Sequence, residues 1–243
     1  MGISYDKAWK TREFPLSSIR GSPEESYSAL PSHCYVLEQK NHDTITDIVI
    51  DHDNQFKYFF MALGACISGF HTSIRPVITI NGTFLKAKYL GTLFVVACKD
   101  GNNQIYPLCF GIGDSENDAS WEWFLKKLHG AIDHVDDLVV VLDRHNNIEK
   151  AVRKVFPHAS HGVCTYHMKQ NLKTKFKNVE VHKLFHDAAY RYRFSEFNVI
   201  FGQLQMISPR AATYIIDAGV EGWECSHSTK KRYNIMTTRI AEV

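Results

Sequence analysis

Short apolar runs separated by turn residues fill the stretch from residue 56 to residue 142 and predict the strands of a sheet. Between two of these runs, Asp100-Gly101 is typical of the turn of an antiparallel hairpin. Apolar residues at helical spacing predict helices over 120–132 and 148–156. The order of these elements predicts an α/β fold in which helices pack on a mixed sheet. The predicted strands are 56–63, 77–80, 90–98, 105–112 and 138–142.

The regions that flank this sheet have a different pattern. Ser22-Pro23-Glu24-Glu25 has the residues of a reciprocal helix cap, so a helix is expected to begin there and to be interrupted at Pro31. A short strand is expected within 44–50, and apolar spacing predicts successive helices over 167–218. We therefore expect a helical N-terminal extension, a sheet core, an all-helical insertion and a C-terminal part of the core. The predicted boundaries are 1–55, 56–177, 178–220 and 221–243.

Composition narrows the function classes. The chain has 243 residues and a formal net charge of +2, so no bulk basicity indicates a nucleic-acid partner, and such a claim needs local features. Its apolar runs are far shorter than the roughly 18 to 20 residues of a membrane span, so the sequence does not predict a membrane protein. Six scattered cysteines without a CxxC pair favour a reducing intracellular compartment over a disulfide framework.

Two predicted strands end in side chains that can carry chemistry. Asn81-Gly82 follows the apolar run 77–80 and is either a hairpin turn or the end of a strand that positions a functional group. Asp143 follows the apolar run 138–142, and it either caps the next helix or lies at the carboxyl edge of the sheet, where ligands and metal ions bind.

His161, Cys164 and His167 lie three residues apart, a spacing that can chelate zinc. A structural zinc site needs four ligands, and the sequence offers only Cys225 and His227 as remote further partners. The alternative is a packed cysteine with flanking histidines.

Three lysines, Lys169, Lys173 and Lys177, are spaced four apart on one face of a predicted helix. Such a stripe either contacts phosphates or is a solvated helix face.

In combination, these segments resemble the catalytic core of the Mutator-like element transposases, a branch of the DDE superfamily. The likeness is strongest over 76–176, and it persists more weakly towards both ends, including the stretch Arg232 to Thr238 and Ala241-Glu242. The segments that match are 81–86, 100–108, 115–125, 142–144, 155–159 and 161–171.

The resemblance implies an RNase H-like mixed sheet flanked by helices, with the site at one edge. In the family, three acids hold two Mg²⁺ or Mn²⁺ ions that activate a water or a 3′-hydroxyl for DNA strand cleavage and transfer. These acids correspond to position 81, Asp143 and Glu242, so Asp143 and Glu242 are the implied metal ligands. Arg144 and the three lysines are the implied DNA contacts, and Gly82, Thr83, Asp100 and Arg144 are expected to line the site.

Further properties follow from the same resemblance. It implies that the partner is double-stranded DNA, which in the family is the transposon ends. It also implies that the protein assembles with copies of itself or with a full-length transposase. It also implies nuclear localisation. Because relatives carry a Cys-x-x-His between the second and third acids, it favours a structural role, with Zn²⁺ as the candidate ion, for His161, Cys164 and His167.

The sequence departs from the family in two ways. Asn81 stands where the family has Asp, which removes one ionic ligand, and the chain stops one residue after Glu242, before the helix that holds this acid in the family. We expect a transposase-derived protein with impaired catalysis. The alternatives are an active or partner-complemented transposase, with Asn81 tolerated or converted to Asp, and a domesticated DNA-binding or transcription-regulatory module.

Overall fold

A computed structural model describes residues 21–86, 89–143, 146–226 and 232–241. Within them, seven strands form one sheet in the order β1-β2-β5-β4-β3-β6-β7. Pairing is antiparallel from β1 to β3, whereas β6 and β7 run parallel to β3. The strands are β1 (Ile45–Ile50), β2 (Phe56–Ala62), β3 (Val77–Leu85), β4 (Gly91–Lys99), β5 (Ile105–Gly113), β6 (Val139–Leu142) and β7 (Ser160–Val163).

Helices flank the sheet and follow it in the chain. No helix in the four described ranges is long and apolar enough to cross a membrane. The helices are α1 (Pro23–Lys40), α2 (Gly64–Ser73), α3 (Asp118–Ile132), α4 (Asn146–Val155), α5 (Thr165–Lys175), α6 (Val179–Ala189), α7 (Phe194–Ile207), α8 (Pro209–Ile216) and α9 (Val220–Trp223). A 3₁₀ turn, Thr238–Ala241, lies near the C-terminus.

The main core lies between one face of the sheet and α2, α3 and α4. Phe60, Ile78, Ile80 and Phe94 from the strands pack with Trp121 and other apolar residues of the helices, and all five side chains are buried. Alternation along the strands turns the neighbouring residues to the opposite face. The 3₁₀ turn covers that face at β3, β4 and β6 through two small clusters that contain Ile240.

The all-helical region has a core of its own, in which α5 to α9 pack around Trp223. Phe185, Phe197 and Phe201 surround this indole, with ring centroids 5.0 to 6.2 Å away. The helical stretch predicted after residue 167 is therefore confirmed.

Helix α1 confirms one prediction and corrects another. The Ser22 hydroxyl accepts a hydrogen bond from Glu25 N, and the Glu25 carboxylate accepts one from Ser22 N, so the predicted cap is present. The expected interruption at Pro31 was wrong, because the helix continues to Lys40. Hydrogen bonds to β1 hold the part of the helix after the proline, since the Glu38 carboxylate accepts one from the backbone nitrogen and one from the hydroxyl of Thr46.

The architecture is the predicted one, an RNase H-like mixed sheet flanked by helices. The predicted strand within 44–50 is β1, which pairs with β2 at one edge of the sheet. The helical prediction for residues 1–20 falls outside the described residues, and the four predicted domain boundaries stay predictions.

Candidate active site

Asn81 and Asp143 occupy neighbouring positions where the parallel pairing of β3 and β6 ends. The register pairs Val77 with Val139 and continues to Ile80 opposite Leu142. Asn81 and Asp143 are the next residues on their strands, so the fold brings these two predicted site positions together.

The alternative of a hairpin turn at Asn81-Gly82 was wrong. Strand β3 continues to Leu85, and Gly82 pairs with Phe94 of β4. The glycine serves packing, because a Cβ atom at Gly82 would lie 3.0 Å from the ring of Trp121 and 3.3 Å from Thr92. The indole of Trp121 therefore approaches the β3 backbone directly, beside Asn81.

The C-terminal segment reaches the same place from the other face of the sheet. Ala241, at the end of the 3₁₀ turn, packs in one cluster with Val95, and Val95 is the cross-strand partner of Asn81. Glu242, the next residue, and Arg144 lie outside the described residues, and their roles stay predictions.

Asp143 contacts a histidine that the sequence singled out for another reason. Its Oδ1 lies 3.3 Å from Nδ1 of His167, which stands in the first turn of α5, and both side chains are about a quarter to a third exposed. The same nitrogen lies 3.4 Å from the hydroxyl of Thr238. His167 therefore lies between Asp143 and the segment that leads to Glu242.

Cys164 is a buried residue that contacts Thr238, the same residue that His167 contacts. Its Sγ accepts hydrogen bonds from the backbone nitrogen of Thr238 at 3.3 Å and from the Thr238 hydroxyl at 3.4 Å, and both residues are fully buried. Burial raises the pKa of the Cys164 thiol, but hydrogen bonding to His167 and Thr238 outweighs burial, so the net pKa lies below the ordinary value.

A second pair of bonds holds the same two segments together. Thr165 donates to the carbonyl of Met236 from both its backbone nitrogen and its hydroxyl, each at 2.8 Å. Sequence reasoning missed Thr165 and Thr238, since no local pattern indicates bonds between residues 71 and 74 positions apart.

His161 lies apart from this network. It stands on β7 opposite Val140 and lines a cleft of about 640 Å³ with Arg153 and Asp217. Its buried Nδ1 has no hydrogen-bond partner among the described residues, and burial, with the nearby charge of Arg153, lowers its pKa. Over the described ranges, no three His, Cys, Asp or Glu side chains are grouped to hold a metal, and the zinc site stays a prediction.

The same finding bears on the two divalent ions that the resemblance implies. The described residues offer one carboxylate, Asp143, one amide, Asn81, and the imidazole of His167 at this edge. Hard divalent cations require oxygen ligands, and a two-ion site requires clustered negative charge. The described residues therefore supply one charged oxygen ligand, fewer than a two-ion site needs, and Glu242, the other implied acid, lies outside them.

The basic residues near the site differ in part from the predicted set. Lys169 and Lys173 lie one turn apart on α5, half-buried and exposed, respectively. The prediction of one helical face was wrong for Lys177, because α5 ends at Lys175 and the chain leaves the helix at Phe176. His182 fixes this exit by a 2.6 Å hydrogen bond to the carbonyl of Phe176.

Sequence reasoning missed one further cation at this edge. The guanidinium of Arg239 lies over the ring of Tyr166, 4.9 Å from its centroid, and Tyr166 stands three residues before Lys169 on α5. Arg239 of the 3₁₀ turn thus lies against α5, the helix that carries Lys169 and Lys173.

Of the other residues expected to line the site, Gly82 and Thr83 follow Asn81 on β3. Asp100 does not line it. It follows the carboxyl end of β4, which runs antiparallel to β3, so it lies at the opposite edge of the sheet. There its carboxylate caps the backbone of Asn102 and Gln104 in the β4–β5 hairpin.

The strand order of the sheet is that of an RNase H-like fold. In it, Asp143 directly follows β6, the strand that runs parallel to β3. Residues 77–171 match the family model of the MULE transposase domain. This part of the chain is therefore similar to a Mutator-like transposase domain, and the matched range begins at β3 and ends within α5. No curated protein matches the chain.

Proposed function

We propose that this protein is a transposase-derived DNA-binding protein whose capacity for metal-dependent DNA strand cleavage and transfer is impaired. The observation that carries the proposal is that Asn81 and Asp143 directly follow Ile80 and Leu142, the last paired residues of β3 and β6. This is the position at which the domain's chemistry calls for a second negative charge.

The charge deficit gives the proposal its physical basis. Two dications at a strand-transfer site are balanced by carboxylates, and each carboxylate also stabilises the charge that develops on the reacting phosphate. An amide oxygen can contact a cation but supplies no charge. Its presence at Asn81 weakens ion binding and transition-state stabilisation together, by several kcal/mol in total.

DNA binding is supported by the cations that surround the same edge. Lys169 and Lys173 on α5 and Arg239 on the 3₁₀ turn lie near the segments that carry Asp143 and His167. Cations in such a group contact phosphates without reading sequence. In this proposal the partner is double-stranded DNA, and the protein acts in the nucleus, alone, as an oligomer or with a full-length transposase.

The test compares the protein with Asn81→Asp, and uses Asp143→Asn as the matched control that removes the remaining acid. Calorimetry with Mn²⁺ is expected to show weak binding to the parent protein, at least tenfold tighter binding to Asn81→Asp, and no binding to Asp143→Asn. Mn²⁺-dependent nicking of duplex DNA is expected to follow the same order, with none detected for the parent.

Two results would overturn separate parts of the proposal. Nicking by the parent protein that equals that of Asn81→Asp and disappears in Asp143→Asn would show intact catalysis. Failure of all three proteins to bind duplex DNA at low salt would remove the DNA-binding function. Salt-dependent binding without nicking supports the proposed function and agrees with a domesticated regulatory module.

A further inference from the structure

Helix α7 is apolar on two opposite faces. One face packs into the core of the all-helical region through Phe197, Phe201 and Leu204. The opposite face carries Val199, which is 64% exposed, and Met206, which is 79% exposed. A helix that buries one face usually carries polar residues on the other. Exposed apolar residues there indicate a surface that contacts a partner.

Four residues form a seam along this exposed face. Small and large side chains alternate in it, at spacings of four, three and four residues. This is the spacing at which residues of one helix line the contact with a second helix in a coiled coil. We call Ser195, Val199, Gly202 and Met206 the α7 seam.

The α7 seam is complementary to itself when two copies run antiparallel. The two-fold axis then passes between Val199 and Gly202, so Val199 of each copy lies opposite Gly202 of the other. Met206 of each copy lies opposite Ser195 of the other. Every layer of the contact thus contains one large and one small side chain, which fills the space between two helices evenly. In a parallel pair each residue faces its own copy, which crowds the methionines and leaves a gap at the glycines.

Both places that receive a large side chain in the antiparallel pair are open in the single chain. No atom outside the helix backbone lies within 4 Å of the position that a Cβ atom of Gly202 would occupy. Beside Ser195 there is a hollow of about 360 Å³, with room for the long and flexible side chain of Met206. The hollow is lined by Arg191, Ser195, Glu196, Val199 and Ile200.

Charge also favours the antiparallel pair. Glu196 lies in the first turn of α7, and Arg210 follows the last turn, at the start of α8. Antiparallel helices bring Glu196 of one copy to the end that carries Arg210 of the other, whereas parallel helices bring like charges together. Arg191 and Arg193 approach the C-terminal end of the other copy's α7, where the helix dipole is negative and the last turn contains no basic residue. The middle of the seam is flanked by uncharged amides, those of Asn198, Gln203 and Gln205.

We propose that the α7 seam is the contact of an antiparallel homodimer, in which a second copy of this chain covers the exposed face. The inference goes beyond the proposed function and does not depend on DNA binding. Helix α7 has 14 residues, so the contact is about 21 Å long and buries less than the roughly 1,200 Å² of a stable interface of standard size. The dimer is therefore weak, and it forms reversibly at high protein concentration.

The first test measures self-association of the full chain by sedimentation velocity over a series of concentrations. The parent is expected to show a reversible equilibrium of monomer and dimer. Gly202→Leu is expected to weaken the dimer about tenfold or more, because the added side chain collides with Val199 of the other copy but has open space in the single chain. The matched control is Gly130→Leu, at a glycine of α3 that is equally open, and it is expected to leave the dimer unchanged.

A second pair of variants tests the apolar contact. Met206→Glu is expected to weaken the dimer about 10- to 100-fold, since the methionine loses its buried contacts. Val179→Glu changes a side chain of similar exposure, 76%, at the start of α6, and is expected to have no effect. Circular dichroism checks that all four variants keep the fold.

Orientation is tested with the double variant Ser195→Cys/Met206→Cys. Mild oxidation is expected to join position 195 of one copy to position 206 of the other, and mass spectrometry of the linked peptides identifies the bond. Neither single variant is expected to link to itself, because the two copies of either position lie about 16 Å apart along the antiparallel pair.

Other results would overturn the proposal and leave the proposed function standing. A parent that stays monomeric at every concentration removes the dimer. A dimer that is tighter in Gly202→Leu shows an unspecific apolar contact, and a bond between two copies of position 206 shows a parallel one. If the parent is monomeric and Met206→Glu instead lowers affinity for duplex DNA, the exposed face of α7 contacts DNA.

Discussion

Thr238 donates two hydrogen bonds to the buried Sγ of Cys164, one from its backbone nitrogen at 3.3 Å and one from its hydroxyl at 3.4 Å. The two residues come from the start of α5 and from the 3₁₀ turn. His167, in the same turn of α5 as Thr165, contacts both Thr238 and Asp143. The Cys-x-x-His pair therefore links Asp143, which follows β6, to the segment that leads to Glu242.

Loss of the Thr238 hydroxyl is expected to weaken this link. Thr238→Val keeps the side-chain shape but removes the bond to Cys164, which costs about 1 to 2 kcal/mol of unfolding free energy at a buried site. The matched control is Thr174→Val, which removes an exposed hydroxyl bonded within α5 and is expected to cost less than about 0.5 kcal/mol. Denaturant unfolding of both variants measures the difference, and equal midpoints would contradict the assigned role.

Gly82 is expected to tolerate no side chain. Gly82→Ala places a methyl group 3.0 Å from the ring of Trp121, which is fully buried and packed against Phe94 with centroids 4.4 Å apart. The expected loss of stability is about 1 to 3 kcal/mol. Gly101→Ala, in the opposite hairpin with nothing within 4 Å of its Cβ position, is the control and is expected to be near neutral. Thermal unfolding compares the two, and a neutral Gly82→Ala would show that Trp121 can shift.

The α5 lysines are expected to act through salt-dependent contacts. Replacement of Lys169 and Lys173 by Gln is expected to reduce the slope of log affinity for duplex DNA against log salt by about 2. Lys99→Gln, at the other edge of the sheet, is expected to leave the slope unchanged. Titrations at several salt concentrations measure the slope. The same slope for the double variant and the parent would place the DNA elsewhere.

Glu122 is expected to make stability depend on acid pH. Hydrogen bonds from Lys126 and Lys154 lower its pKa to about 2, from an ordinary value of 4.5. Because the folded-state pKa is the lower one, the stabilisation is present above pH 4.5 and is lost as the pH falls towards 2. The parent should lose more stability than Glu122→Gln over this window. The difference is small because solvent screens the pair, and urea unfolding at several pH values measures it.

The apolar runs were sufficient to predict the central strands, because a strand buried on both faces needs little more than apolar residues. They were insufficient for β7, where polar His161 and Gly162 occupy an edge strand that only its pairing with β6 defines. The end of β3 was ambiguous for another reason. Asn81-Gly82 has the composition of a turn, and the glycine is required instead by the approach of Trp121.

The part of the candidate site formed by Asn81 and Asp143 was predictable from the sequence. Asn81 and Asp143 each follow an apolar run, and parallel pairing brings them to one edge. The contacts of Thr238 and Arg239 were not predictable, because they join segments more than 70 residues apart whose approach is set by the whole fold.

The placement of Asn81 within β3 also bears on how the protein ages. Asn-Gly pairs lose ammonia when the glycine nitrogen attacks the side-chain carbonyl to form a five-membered succinimide. Here Gly82 is paired with Phe94 and pressed against Trp121, so the backbone cannot fold back into that ring. We therefore expect the amide to persist in the folded protein, so that a negative charge at this position would have to arise by a codon change in the gene.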